Sequence, residues 1–334
     1  MTPLSGSIDG MRAITVDSET ATLSVAEVPD PTPGPGEVLI EVAAAGVNRA
    51  DLLQKQGLYP PPPGASEILG LEVSGRIVEL GSEVTGWSVG DEVCALLAGG
   101  GYAELVAVPA VQLLPKPSNV DLIESAGLPE VACTVVSNLL LTAHLQLDEL
   151  VLIHGGSSGI GTHATQLCRA LGARVAVTAR TREKLARSAE YGAEILIDYS
   201  SEDFVEVMSE HGGADVILDI IGAAYLPRNV KALATGGRLV IIGMQGGVKG
   251  ELPIGAMISK RLSVYGTALR SRPVTGADGK ASIVEKTHAR TWPLIEAASV
   301  VPVTDSVFEL ADAQAAHERL NSGDAIGKVL LRVG

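Results

Sequence analysis

Aromatic side chains make up only 3% of the 334 residues, with two Phe, two Trp and six Tyr, so ring stacking cannot dominate the core. The 46% apolar content rests instead on Ala, Val, Ile and Leu, a balance that suits parallel strands sandwiched between helices. Cysteine is scarce as well. Cys94, Cys133 and Cys168 are far apart and odd in number, which leaves neither a disulfide framework nor a paired zinc-ligand set and fits a reducing compartment. Positive charge is in deficit: a formal net charge of −14 argues against nucleic acid or an anionic membrane as the main partner and favours a small molecule. No apolar run of about 20 residues stands out, and Met1 to Arg12 lacks the basic-then-apolar pattern of a signal, so a soluble, cytoplasmic protein is expected. The first ten residues are expected to be an unstructured lead before a strand at Arg12 to Val16.

The length exceeds a usual single core and predicts two domains. From Met11 to about Pro109, short strands such as Glu37 to Ala43 and Glu72 to Leu80 are broken by turn clusters, which reads as a β-rich domain. From Leu150 the texture changes to alternating strand and helix. Buried strands are expected at Leu150 to His154, Arg174 to Thr178, Glu194 to Asp198, Asp215 to Ile220 and Arg238 to Gly243, which makes a doubly wound sheet. After about Arg272 the pattern weakens, and the terminal strand Lys328 to Val333 is expected to return to the first domain.

Between the first of those strands and a helix starting near Ile160 lies Gly155-Gly-Ser-Ser-Gly-Ile-Gly161. Such a turn places backbone N–H groups and the positive end of a helix dipole against a diphosphate. The second strand is not followed by the carboxylate that would hold a ribose 2′-hydroxyl; Ala179 leads into Arg180, Arg182 and Lys184, cations able to pair a 2′-phosphate. NADPH is therefore the expected cofactor, although a charge run of this kind often does no more than face water.

Over nearly its whole length the chain resembles the zinc-free quinone oxidoreductases of the medium-chain dehydrogenase/reductase superfamily. The resemblance rests on Ala45-Gly-Val-Asn-Arg-Ala-Asp51, Gly57-Leu-Tyr-Pro-Pro-Pro-Pro-Gly64, Gly90-Asp-Glu-Val93, Leu128-Pro129 with Thr134, the glycine turn, Tyr191-Gly-Ala193 and Gly236-Gly-Arg-Leu-Val-Ile-Ile-Gly243. It implies an α/β protein: a GroES-like β-rich catalytic domain at 1–128, a Rossmann domain at 129–271, and a return to the catalytic domain at 272–334. In the zinc-dependent branch a Cys stands where Asn48 stands and a His where Leu71 stands, followed by a four-cysteine lobe, so no metal is expected here. Glu72 and Asp51 remain, as two carboxylates more often structural or solvated than metal-binding.

The resemblance implies Asn48, Tyr59 and Arg270 as catalytic residues, facing the substrate as donors to the oxygen on which charge builds. Asn48 also faces the nicotinamide, whose carboxamide Thr134 is expected to bond. Ser158, Gly159, Ile160 and Gly161 would contact the pyrophosphate, and Lys184 and Tyr199 match positions around the adenosine 2′-phosphate, to which the charge run adds Arg180. Gly243 with Met244 would pass behind the nicotinamide, and Gly156, Ser157, Ala179 and Ile221 complete the expected cofactor contacts. Bland alternatives stand beside these roles: a turn-capping Asn48, a Tyr59 packed on its prolines, a Thr134 bonding its own helix, and a surface salt bridge for Arg270. Cys133 is read as a small buried helix residue and the six His as structural.

The implied activity is hydride transfer from NADPH to a quinone or other small electrophile, by a homodimer or homotetramer. The same scaffold also serves enoyl and alkene reductases, and a non-catalytic, crystallin-like NADPH binder is a third reading. A short-chain dehydrogenase is excluded, because no Tyr is followed four residues later by Lys.

Overall fold

The computed structural model describes residues 10–17 and 19–334, so the expected N-terminal lead lies, apart from Gly10, outside the described residues. The chain forms two compact units. One runs to Glu130 and takes in Pro273–Val284 and Thr304–Gly334; the other comprises Val131–Arg272 and Glu285–Val303. Residues 285–303, expected with the first domain, thus belong to the second unit. Gln166 holds them there: its side chain donates to the Val301 carbonyl (3.0 Å) and accepts the Val301 N–H (2.9 Å).

The first unit is built on a seven-stranded sheet. Its path runs Thr304–Glu309, Lys328–Arg332, Glu37–Val47, Glu72–Leu80, Glu92–Leu96 and Leu113–Pro115, with Leu105–Pro109 also paired to Glu37–Val47. The terminal strand lies antiparallel on Glu37–Val47 with Val329 opposite Val47, while Glu72–Leu80 lies on the other side with Val73 opposite Ala45. One residue beyond each of those pairs, Lys328, Asn48 and Glu72 come together at the end of three adjacent strands. The core beneath is aliphatic, with Ile14, Ile40, Val73, Ile77 and Leu331 among its buried members and Tyr102 as its one fully buried aromatic ring.

The second unit carries a six-stranded parallel sheet in the order Ile195–Asp198, Arg174–Ala179, Leu150–His154, Ala214–Asp219, Leu233–Ile241, Ser263–Gly266. Counted along this unit the order is 3-2-1-4-5-6, the doubly wound arrangement in which ligands bind at the carboxyl ends of the first and fourth strands, where the winding reverses. Continuous burial of Leu150–His154 and of Val216–Asp219 explains why Leu150–Ile153 and Val216–Leu218 read as unbroken apolar runs.

By length and mean hydropathy Leu122–Thr142 passes as apolar enough to cross a membrane, although Glu124, Glu130 and Asn138 break the apolar run. It is interrupted, with helices at Leu122–Ser125 and Pro129–Val135 and a π-helix at Val136–Thr142, and 78% of its most apolar stretch is buried inside the protein, as for a core segment.

Candidate active site

The glycine turn closes the first strand of the parallel sheet and opens the helix Gly159–Ala170. Its glycines are there for contact. A Cβ on Gly156 would stand 2.5 Å from Val177 Cβ on the neighbouring strand, and one on Gly161 would stand 2.3 Å from the Gly155 carbonyl oxygen. Gly155 has φ +74°, which a side chain would strain. Ser158 caps the helix: its Oγ accepts the Gly161 N–H (3.0 Å) and donates to the Gly155 carbonyl (2.8 Å). The helix therefore starts directly from a close-packed glycine turn, and a helix N-terminus of this kind favours an anion.

A polar relay that the sequence reading left as an unremarkable histidine braces this turn from beneath. Thr178 Oγ1 accepts the Gly155 N–H (3.3 Å) and contacts His154 Nδ1 (3.1 Å), while His154 Nε2 meets Asn229 Oδ1 (2.8 Å). An amide oxygen can only accept, so Nε2 carries the proton and Nδ1 accepts from Thr178. Burial keeps the ring neutral, with its pKa pushed down to about 4.

At the end of the second strand, Ala179 is buried and Arg180 is exposed. The Thr181 hydroxyl caps the following helix by accepting the Lys184 N–H (3.3 Å), and Lys184 is itself buried. Tyr199, 43% exposed, donates its backbone N–H to the Ala179 carbonyl (3.2 Å), so these residues form one neighbourhood. The fourth and fifth strands end against each other. Gly246 N–H reaches the Ile221 carbonyl (2.7 Å), and a Cβ on Gly243 would lie 2.5 Å from the Ile220 oxygen, which places Ile221, Gly243 and the exposed Met244 side by side. Asp219 holds the first of these ends by accepting the Ile221 and Gly222 N–H groups (2.7 and 3.0 Å), and burial still raises its carboxyl to about 6.

Thr134 is buried just before the π-helix, where its carbonyl accepts from Asn138 Nδ2 (2.8 Å) and Ser137 Oγ (3.1 Å). Asn138 Oδ1 takes the Thr267 hydroxyl, tying this helix to the end of the last parallel strand. Arg270 follows that strand and is 3% exposed, which removes the surface salt-bridge alternative.

In the first unit Asn48 precedes the helix Arg49–Lys55, and the Asp51 carboxylate accepts its N–H (2.7 Å). Asp51 also takes the Gly70 N–H (3.2 Å) and the Tyr102 hydroxyl (3.1 Å). Burial outweighs these donors and lifts its carboxyl to about 6. With the Tyr102 proton on Asp51, the phenol oxygen accepts from His317 Nε2 (3.2 Å), and His317 is held neutral, pushed down to about 3 by burial and by Lys55. Glu72, fully buried, accepts Asn48 Nδ2–H (2.9 Å) and the Glu130 N–H (2.8 Å) and pairs with Lys328 (2.6 Å). Neither carboxylate is solvated. Tyr59 sits half-buried in the bend after Gly57. The sequence did not single out Lys328; a lysine opening a terminal strand whose next three residues are apolar was the available signal. The three cysteines are all buried, and burial alone lifts the Cys168 thiol to about 12, far from a nucleophile's range.

Residues 34–118 match the alcohol dehydrogenase GroES-like domain family and residues 159–279 the zinc-binding dehydrogenase family. The chain is 30% identical to the acryloyl-coenzyme A reductase of Metallosphaera sedula, over 96% of this chain and 99% of that protein. It is 29% identical to a synaptic vesicle membrane protein VAT-1 homolog of Danio rerio, of which it spans 64%. The structure of Escherichia coli quinone oxidoreductase complexed with NADPH superposes with a TM-score of 0.84 at 27% identity, covering 97% of this chain and 99% of that one. A glycine turn on a doubly wound sheet in one unit and a GroES-like sheet in the other account for these likenesses: the chain belongs to the medium-chain dehydrogenase/reductase superfamily and is a nicotinamide-dependent oxidoreductase with quinone oxidoreductases among its relatives.

Proposed function

We propose that this protein is an NADPH-dependent, zinc-independent quinone oxidoreductase. The observation that carries the cofactor is the close-packed turn at 155–161 together with the exposed Arg180 that follows the second strand in place of a carboxylate. A 2′-phosphate would be paired there by Arg180 and by the Lys184 ammonium, with Tyr199 alongside. When bound, the reduced nicotinamide supplies a hydride. Thr134, whose carbonyl is held by Asn138, would hold the nicotinamide carboxamide, with Ile221, Gly243 and Met244 completing that part of the site.

A divalent metal does not suit the first unit's donors. Asn48 offers a carboxamide already bonded on both ends, Leu71 is a buried hydrocarbon, and the Glu72 carboxylate is taken by an ammonium that would repel a cation. The work left to the chain is electrostatic. Asn48 Nδ2–H, the Tyr59 hydroxyl and the Arg270 guanidinium are the donors we assign to the oxygen that gains charge, and Tyr59 is the group able to pass it a proton; one such donor is typically worth about 3 kcal/mol. The reading includes a cytoplasmic homodimer or homotetramer with no nucleic-acid or membrane partner.

The acryloyl-coenzyme A reductase likeness over nearly both chains favours a second reading, reduction of an enoyl thioester by the same donors acting on a thioester oxygen. Both substrates are conjugated electrophiles whose oxygen becomes anionic. Consumption of NADPH measured in parallel with 1,4-benzoquinone and acryloyl-coenzyme A decides between them. A kcat/KM at least tenfold higher with the quinone is expected; strong preference for the thioester overturns the quinone assignment.

A further inference from the structure

Asparagine is a poor device for aiming a hydrogen bond, because its amide can turn over and exchange donor for acceptor with almost no change in shape. Asn48 is denied that freedom. The Lys328 ammonium, which can only donate, lies 2.7 Å from Oδ1; the Glu72 carboxylate, which can only accept, lies 2.9 Å from Nδ2. The two charged groups pair with each other at 2.6 Å, and their side chains are 8% and 0% exposed. A flipped amide would point N–H at the ammonium and oxygen at the carboxylate, forfeiting two charge-assisted hydrogen bonds in a setting without water to replace them.

The pair is itself fully committed. Lys328 Nζ places its remaining hydrogen on the Val47 carbonyl (3.1 Å), and Glu72 Oε2 accepts the Glu130 N–H (2.8 Å). Two glycines make the room. A Cβ on Gly46 would fall 2.2 Å from Glu72 Oε1, and one on Gly127 would press on Lys328 Cγ at 3.2 Å. The second Nδ2 hydrogen of Asn48 meets only a long contact, 3.4 Å to the Gly46 carbonyl, and the residue is partly exposed. Of the two amide hydrogens it is the more weakly held and so the more available to an outside acceptor.

Resting on the role proposed above for Asn48, we infer that Lys328 and Glu72 are positioning residues whose buried ion pair locks the Asn48 carboxamide with its N–H₂ presented as donor to the substrate oxygen. The ammonium on Oδ1 also draws electron density from the amide nitrogen, which strengthens the N–H that remains. Neither residue touches substrate.

The test uses the full chain with NADPH and 1,4-benzoquinone, comparing Asn48→Ala, the charge-free double variant Glu72→Gln/Lys328→Met, and the triple combination. The charge-free variant should lose kcat by roughly tenfold or more, toward the level of Asn48→Ala, with the Kd for NADPH unchanged. In the triple variant the losses should not multiply, because the pair acts through Asn48 alone. Wild-type kcat in the charge-free variant, or multiplying losses in the triple one, overturns the inference. Undiminished kcat in Asn48→Ala alone brings down the catalytic reading of Asn48 and this inference with it, whereas loss in Asn48→Ala but not in the charge-free variant overturns this inference only. A readout on the unmodified protein is independent of folding of the variants: with nitrogen-15 in asparagine side chains, the Asn48 amide proton facing Glu72 should be protected from solvent exchange well beyond its partner proton. Equal, rapid exchange of both protons would refute the lock.

Discussion

Replacing Asp51 with Asn isolates the electrostatics beneath Asn48. The Asp51 carboxyl is fully buried and its pKa is raised from 3.8 to about 6 by burial, against the pull of the Asn48 and Gly70 N–H groups, the Lys328 charge and the Tyr102 hydroxyl. A carboxyl whose folded-state pKa is raised binds its proton more tightly folded than unfolded, so its contribution to stability is present at low pH and is lost as pH climbs from about 4 to about 6. Two pKa steps correspond to about 3 kcal/mol in full, of which about 2 kcal/mol falls between roughly pH 4.5 and pH 7. Asn keeps the shape and cannot ionise. Its loss of one of three accepted hydrogen bonds gives an offset that does not depend on pH. The quantity to plot is the unfolding free energy of the wild type minus that of Asp51→Asn, from urea titrations at matched pH, in which Asp219 and the neutral histidines cancel. It should fall by about 2 kcal/mol over that range. A level difference would show that burial does not hold this carboxyl protonated, and a rising one would show that its hydrogen bonds win.

The other predictions concern the two units separately. Gly161→Ala puts a methyl group 2.3 Å from the Gly155 carbonyl oxygen and 2.7 Å from Gly156 Cα, both backbone, so the turn must shift; a stability loss of about 1–3 kcal/mol is expected, with NADPH affinity by calorimetry down about tenfold or more. An unaltered Kd would remove this turn from the cofactor site. Arg180→Ala should raise the KM for NADPH about tenfold while sparing NADH, and equal effects on both cofactors would refute the 2′-phosphate assignment. Tyr59→Phe should lower kcat by about a hundredfold if the phenol passes the proton, and undiminished kcat removes it from that role.

Local chemistry was the legible part. Strand, glycine turn and helix at 150–170 follow from a buried apolar run, positions where no Cβ fits and a serine cap, all within about twenty residues of chain. The strands of the parallel sheet were readable for the same reason, because burial on both faces leaves an unbroken apolar signature. Other features gave no local sign. For Arg270 the letters left a surface salt bridge open, yet it is 3% exposed, and His154 reads as the last residue of a strand yet links Thr178 to Asn229 under the turn. The segment 285–303 carries no marker of its unit, since Gln166 holds it from 135 residues away in sequence.

By itself, the amino-acid order determined the class of the fold, the glycine turn between strand and helix and the absence of the cysteine and histidine that a catalytic zinc needs, because each depends on residues close in the chain or on residue types alone. Tertiary structure decided the setting of Asn48. Its partners Glu72 and Lys328 lie 24 and 280 residues away, and the register of three antiparallel strands brings them to one point. Once there, low exposure makes the charges strong enough to dictate which way a neutral amide faces, and strand register and burial do not exist until the sheet has formed.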